Sequence, residues 1–489
     1  MAAVLLAGPT ALAFFAGGYF DEPRLAAGIV AWGLVLLVAL LGPYPLPSTA
    51  PGWAVLGGLA FLSAWTAASL TWAPMSTPAT ESVERLLLYL AVLIASIGLL
   101  RLRDVARALE PTLALGIVVV LGYGVAGRLV PGVIDMSRST GAFGRLEQPI
   151  TYWNAEGALA AMGLVLCARL AGDRSRPVAM RALAGAACPL LGMGVYLTYS
   201  RGAIAAAVVG LILLLALAPT GSQLRAAVAA LVSGLIAGAC SSAFSGVASL
   251  SGSIGDQERD GAIVLIILVV LTVAAALAAV RLARTESEGA DRLSFAGRLP
   301  VVAAAAVALT VVGLVIGGLG EKADRGSERL SSASAARLTT TSSQRYDFWR
   351  IGLDAFVREP LTGVGAGGFR SEWLRERPVN VAVRNVHSLE LGMATELGLP
   401  GLLAILVVIG GVLAAGRRAL QARQPLAVGC CAVSAVWLLH ATIDWDWELP
   451  AVTLPVVIMA GALIAASEQR RPEAPRPTAV PEPRRAVVY

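Results

Sequence analysis

Charge is scarce in this sequence: 14% of its 489 residues are Asp, Glu, Lys or Arg, while 57% are hydrophobic. A soluble globular protein carries roughly 25% charged residues, so the composition argues against a soluble fold. Lysine is all but missing: Lys322 is the single one, and arginine supplies the rest of the basic charge. Histidine occurs only at His387 and His440, which gives no zinc cluster. The cysteines, Cys167, Cys188, Cys240, Cys430 and Cys431, sit in or beside apolar segments and are missing from the polar loops, which excludes a disulfide framework. A Walker A motif is also lacking.

What the chain does contain, from end to end, is apolar stretches of about 16 to 22 residues, each able to carry a helix across a hydrocarbon core of about 30 Å. They fall near 3–20, 25–42, 53–70, 85–100, 109–130, 153–170, 183–199, 203–218, 225–243, 261–281, 299–318, 398–416, 425–442 and 450–467. The expected fold is all-α: a polytopic transmembrane helix bundle of about 12–14 spans with one large extracytoplasmic loop containing short helices. The first stretch has no Lys or Arg before it and reads as a span in preference to a cleaved signal peptide. The expected divisions are N-terminal transmembrane helices over 1–140, central ones over 141–320, the extracytoplasmic loop at 321–385, C-terminal transmembrane helices over 386–467 and a disordered cytoplasmic tail at 468–489.

Short arginine-rich loops stay in the cytoplasm. Arg101, Arg103 and Arg107; Arg169, Arg174, Arg176 and Arg181; Arg281, Arg284, Arg292 and Arg298; and Arg417, Arg418 and Arg423 fall on one side when the spans alternate. Both termini are then cytoplasmic in a multi-pass cytoplasmic-membrane protein. The opposite face receives the long basic loop, the Ser200–Arg201–Gly202 turn, the Asp444–Glu448 turn and both histidines. Within the loop, Ser342 and Ser343 are positioned to cap a helix running to Glu359 and stopped by Pro360, with Phe348, Trp349, Leu353, Phe356 and Val357 as its apolar stripe.

Candidate chemistry gathers on that face. His387 stands at a helix mouth, either as a polar boundary residue or as a general base for a sugar hydroxyl, since imidazole exchanges its proton most readily near neutral pH. Glu390, a turn further on, is placed to orient it, while Glu396 is expected to face elsewhere. Arg201, in a tight hairpin between two spans, either snorkels to the headgroups or faces a polar cavity, where its fork of donors suits a diphosphate. Arg145, Tyr152, Trp153, Asn154 and Glu156 crowd the mouth of another span. Gly363-Val-Gly-Ala-Gly-Gly fits the dinucleotide pattern, but no strand precedes it. Asp444-Trp-Asp446 has the form of a metal-holding DxD and reads instead as an acidic, tryptophan-rich interface turn.

Four pieces occur in order: Arg145-Leu with Pro149 and Tyr152-Trp-Asn154; Ser200-Arg-Gly-Ala203; Arg345 to Trp349 leading into Gly363-Val-Gly-Ala-Gly-Gly-Phe369; and His387 with Leu389, Glu396 and Gly398. In that order, with a large outer loop just before the histidine, the sequence resembles the O-antigen ligase and polymerase superfamily of bacterial membrane glycosyltransferases. The resemblance implies transfer of a glycan from an undecaprenyl-diphosphate donor to a hydroxyl acceptor at the outer leaflet, inverting and without metal or cofactor. It implies His387 as the catalytic base and Arg201 and Arg345 as diphosphate holders; from their places at the helix mouths, Arg145 is expected to join the diphosphate set and Glu390, Asn154 and Tyr152 to support it. The partners implied are the lipid-linked donor, a glycan, lipid or protein acceptor, membrane lipids and polysaccharide-assembly proteins, not nucleic acid. A secondary transporter and an inactive scaffold of the export machinery are the competing readings; the span list puts no charge at mid-membrane, which weighs against transport.

Overall fold

A computed structural model describes residues 1–134, 136, 139–286 and 345–469. The expected span at 299–318, the caps Ser342 and Ser343, Lys322 and the tail beyond 469 lie outside the described residues. The described chain is all-α. Its helices are α1 (Ala2–Ala13), α2 (Asp21–Leu41), α3 (Ala50–Ser69), α4 (Ser76–Leu99), α5 (Arg103–Leu129), α6 (Trp153–Gly172), α7 (Val178–Leu197), α8 (Arg201–Leu217), α9 (Gly221–Ser242), α10 (Ser245–Ala248), α11 (Ile254–Arg284), α12 (Arg345–Arg358), α13 (Phe369–Glu376), α14 (Leu389–Gln421), α15 (Ala427–Ala441) and α16 (Pro450–Glu468). Ten of these are long and apolar enough to cross a membrane, and α1, α8 and α15 are shorter apolar helices.

Composition decides which helices sit at the centre. The most apolar stretch of α6 is 100% buried and that of α16 is 89% buried, against 11% for α11, so α6 and α16 form the middle and α11 the rim. Helix α6 is rich in Ala and Gly, which supply nine of its 20 residues, and small residues let backbones approach closely where hydrocarbon supplies no hydrophobic drive. The same rule joins α7 to α9, where a Cβ on Gly192 would stand 2.2 Å from the Gly234 Cα.

Two expected spans change shape. The first ends at Ala13, not 20, because Gly17 and Gly18 take left-handed backbone (φ 69° and 76°) and turn the chain against Ile150, Leu449 and Pro450. That turn delivers Tyr19 to the ring of Trp445, 5.7 Å between centroids. The span expected from 398 begins at Leu389, with Ser388 accepting a hydrogen bond from Leu391 N at 3.4 Å as its cap, and it is broken at Gly398 (φ 65°, ψ −162°). Around the break, Thr395 O accepts from Val364 N at 3.0 Å, Glu396 O from Gly365 N at 2.9 Å and Pro360 O from Leu399 N at 2.8 Å. The glycine-rich loop therefore satisfies the backbone that the break exposes, as non-helical backbone at membrane depth requires.

Helix α12 ends at Arg358, close to the expected Glu359, but a different stripe is buried: Phe348, Ile351, Gly352 and Ala355. Leu353 and Val357 stay 51% and 68% exposed. The reason is tertiary: Phe348 packs edge-on against Trp373 of α13 at 4.9 Å, and Thr395 Oγ1 of α14 donates to Gly352 O at 3.0 Å.

Candidate functional site

His387 lies just before α14, in left-handed backbone (φ 60°). Its Nδ1 is 2.9 Å from Asn385 O. A carbonyl only accepts, so Nδ1 carries the proton and Nε2 is left with its lone pair. The half-buried ring tilts against Phe348 at 4.9 Å and meets the edge of Trp445 at 6.4 Å. Burial lowers the imidazole pKa from 6.5 to about 4, with Asp444 opposing the shift and Arg345 adding to it. Near neutral pH His387 is therefore an uncharged base.

Asp444 is the hub of the site. It lies in the turn between α15 and α16 and is 1% exposed. Its Oδ1 accepts from Tyr152 Oη at 2.8 Å, and its Oδ2 accepts from Asn154 Nδ2 at 2.8 Å and from Arg345 Nη2 in an ion pair. Although burial opposes it, the Arg345 guanidinium, with further help from both histidines, holds the Asp444 carboxyl below its ordinary value. The Asp444 charge is felt in turn at His387, so Tyr152, Asn154, Arg345, Asp444 and His387 form one electrostatic unit.

Arg201 opens α8 after its Ser200 cap, whose Oγ accepts from Ala203 N at 3.3 Å. It lies within charge range of Arg345. The next residue, Gly202, leaves only 3.2 Å between a would-be Cβ and the His440 ring, and His440 Nδ1 is 2.5 Å from Asp446 Oδ2. One guanidinium and two histidines thus converge on the Asp444–Asp446 turn, with Arg201 within charge range of that guanidinium. Both aspartates already face cationic or imidazole partners, and among the described residues no group of three His, Cys, Asp or Glu side chains gathers as a metal site.

The other expected site residues lie differently. Arg145 stacks on Trp153, with its guanidinium carbon 3.5 Å from the ring centroid, and donates to Ala142 O and Gly141 O in its own loop. Glu390 accepts from Thr442 Oγ1 at 3.2 Å, while His387 is oriented by a carbonyl; His387 precedes the helix, so the helical spacing that would bring the two together does not apply. Glu396, expected to face elsewhere, shares the face of Leu389 and Met393 and lines a cavity of about 50 Å³ together with His387, Asp444, Trp445, Glu448 and Arg85. Its carboxylate also accepts from Gly367 N at 2.9 Å and Phe369 N at 3.4 Å. The glycine-rich loop therefore binds a carboxylate of its own chain.

Residues 186–406 match the family model described as O-antigen ligase. Over these residues, just under half of the chain, the sequence is similar to the O-antigen ligase family. The matched segment runs from α7 into α14 and holds Arg201, Arg345 and His387; Arg145, Tyr152 and Asn154 precede it, and Asp444 follows it. The O-antigen ligase family is glycosyltransferase-like and serves polysaccharide biosynthesis, and its segment here sits in a multi-pass helical membrane protein. No curated protein matches the chain. Arg85 and Glu448 escape sequence reading as site residues, while Asp444 reads only as part of an interface turn and Glu396 as facing elsewhere; the one local signal is charge at the ends of otherwise apolar runs.

Proposed function

We propose that this O-antigen ligase-like protein transfers a glycan from an undecaprenyl-diphosphate donor to a hydroxyl acceptor, with inversion and without metal, at the outer face of the cytoplasmic membrane. The observation that carries the reading is Arg345: paired with Asp444, it acts electrostatically on both His387 and Arg201. Anomeric bond cleavage builds negative charge on the leaving diphosphate, and guanidiniums fixed in a partly desolvated site stabilise that charge more than the ground state. His387 Nε2 takes the proton of the attacking hydroxyl. Arg201 and Arg345 hold the phosphates, and Arg145 extends that set from its seat on Trp153. Tyr152 and Asn154 act through Asp444, keeping its carboxylate aimed at Arg345. A base on one side of the sugar and the leaving group on the other imply inversion.

Support for metal independence comes from the DxD aspartates, which are engaged with Arg345 and His440. Support for the orientation comes from the arginines of the short loops, which alternate onto the end of the bundle away from His387. Both termini are then cytoplasmic, the N-terminal, central and C-terminal helices serve one catalytic face, and polysaccharide-assembly proteins are natural partners. The test is transfer in nanodiscs from undecaprenyl-diphosphate-linked oligosaccharides with EDTA present. Transfer by wild type and its loss in a folded His387→Ala variant uphold the reading; an equally active variant, or chelator-sensitive transfer, overturns it.

A further inference from the structure

Part of the wall of the His387 cavity comes from α3 and α4, outside the matched segment. Arg85 of α4 is 4% exposed there. Its Nη2 is 2.7 Å from Glu448 Oε2 and donates to Ser82 Oγ at 3.3 Å. Its Nε is buried and has no hydrogen-bond partner among the described residues. A buried donor on a charged group is expensive to leave unmade, and this one belongs to a residue lining the cavity that holds the candidate base.

Size and charge say what the donor awaits. The cavity of about 50 Å³ is smaller than a sugar ring. At about 30 Å³ per water it admits one or two hydroxyl-sized groups. Arg85 is already offset by Glu448, and the Glu396 carboxyl lines the same space, so a phosphate entering here meets two acidic side chains. The Arg201–Arg345 side suits an anion; this side suits a neutral hydroxyl, flanked by the rings of Trp445 and Trp447.

Resting on the transfer reaction proposed above, we infer that Arg85 binds the acceptor, its Nε–H donating to the oxygen of the attacking hydroxyl. In the step, that hydroxyl gives its proton to His387 Nε2 and its oxygen bonds the anomeric carbon. The anomeric C–O bond to the diphosphate breaks, and the electron pair leaves on phosphate oxygen.

The test uses the full-length protein in nanodiscs, an undecaprenyl-diphosphate-linked oligosaccharide as donor and a fluorescent glycoside of the donor's own terminal sugar as acceptor. Arg85→Lys keeps a cation beside Glu448 but lacks Nε–H; it is expected to raise the acceptor KM about 10- to 100-fold while the donor KM stays within about twofold. The Arg85→Gln/Glu448→Gln double variant removes the ion pair without stranding a charge and is expected to show the same acceptor defect. A wild-type acceptor KM in either variant means that Arg85 only ties α4 to the α15–α16 turn, and it overturns the inference. A shift confined to the donor KM overturns it too. If wild type transfers to no acceptor, the proposed reaction itself falls and this inference goes with it, an outcome separable from an Arg85 failure in an active enzyme.

Discussion

The two ends of the bundle use the same residue types to opposite effect. At the arginine-rich end, Glu468 meets Arg101 at 2.6 Å, Glu286 takes Arg181 through two bonds of 2.6 and 2.8 Å, and Glu110 meets Arg176 at 3.1 Å. These pairs tie one helix or loop to the next; they close the structure. At the other end Arg345–Asp444 and Arg85–Glu448 are also paired, but they are set among Tyr152, Trp445 and His387 and border a cavity. An ion pair between helices restrains them, whereas the same pair beside a hole keeps a cation in place for something that enters.

The sharpest way to break that comparison is at His387. His387→Ala should lower kcat for transfer by about 10²–10⁴, the range for a lost general base, with an unchanged melting temperature in detergent. Next come Arg345→Ala and Asp444→Asn, each expected to cost about 10²–10³ in kcat because one removes the phosphate donor and the other its counter-ion. The double variant should lose little more than either single one, since the two residues act as a unit; additive losses would separate them. The pH profile comes third. Because burial brings His387 to about 4, the base stays unprotonated well below the ordinary histidine value. The rate should hold from about pH 8 to about pH 5 and fall only as the imidazole charges below that; a midpoint near 6.5 would mean that the ring is not desolvated. The smallest effect belongs to the closed end: Glu468→Gln should lower the melting temperature by a few degrees and leave kcat within about twofold, because a partly exposed pair contributes only about 1 kcal/mol or less.

Most of the bundle is legible in sequence because hydrocarbon thickness sets a minimum apolar length that few other structures need. Thirteen of the expected spans correspond to helices, ten long and three short, and the remaining one lies outside the described residues. Legibility fails where glycine decides. Gly17 and Gly18 end the first helix early, and Gly398 lets α14 start nine residues before the expected span, because both rest on left-handed backbone whose need is created by distant neighbours. The candidate site is legible in part. Arg201, Arg345 and His387 stand out through their positions at helix mouths and their order along the chain. Asp444 does not, because its meaning depends on Tyr152 and Arg345, 292 and 99 residues away. Glu396 escapes a count of helical turns from His387 because His387 is not in the helix.

The position of Asp444 in the last described interhelical turn has a consequence for how the protein is made. Arg345 and His387 both leave the ribosome before the carboxylate that acts on them does. Until α15 and α16 enter the bilayer, Arg345 has no Asp444 and Arg85 has no Glu448. A nascent or truncated chain therefore carries the candidate base without the charge arrangement around it. Maturation of the site therefore waits for the helix that follows Asp444 to dock at the centre of the bundle.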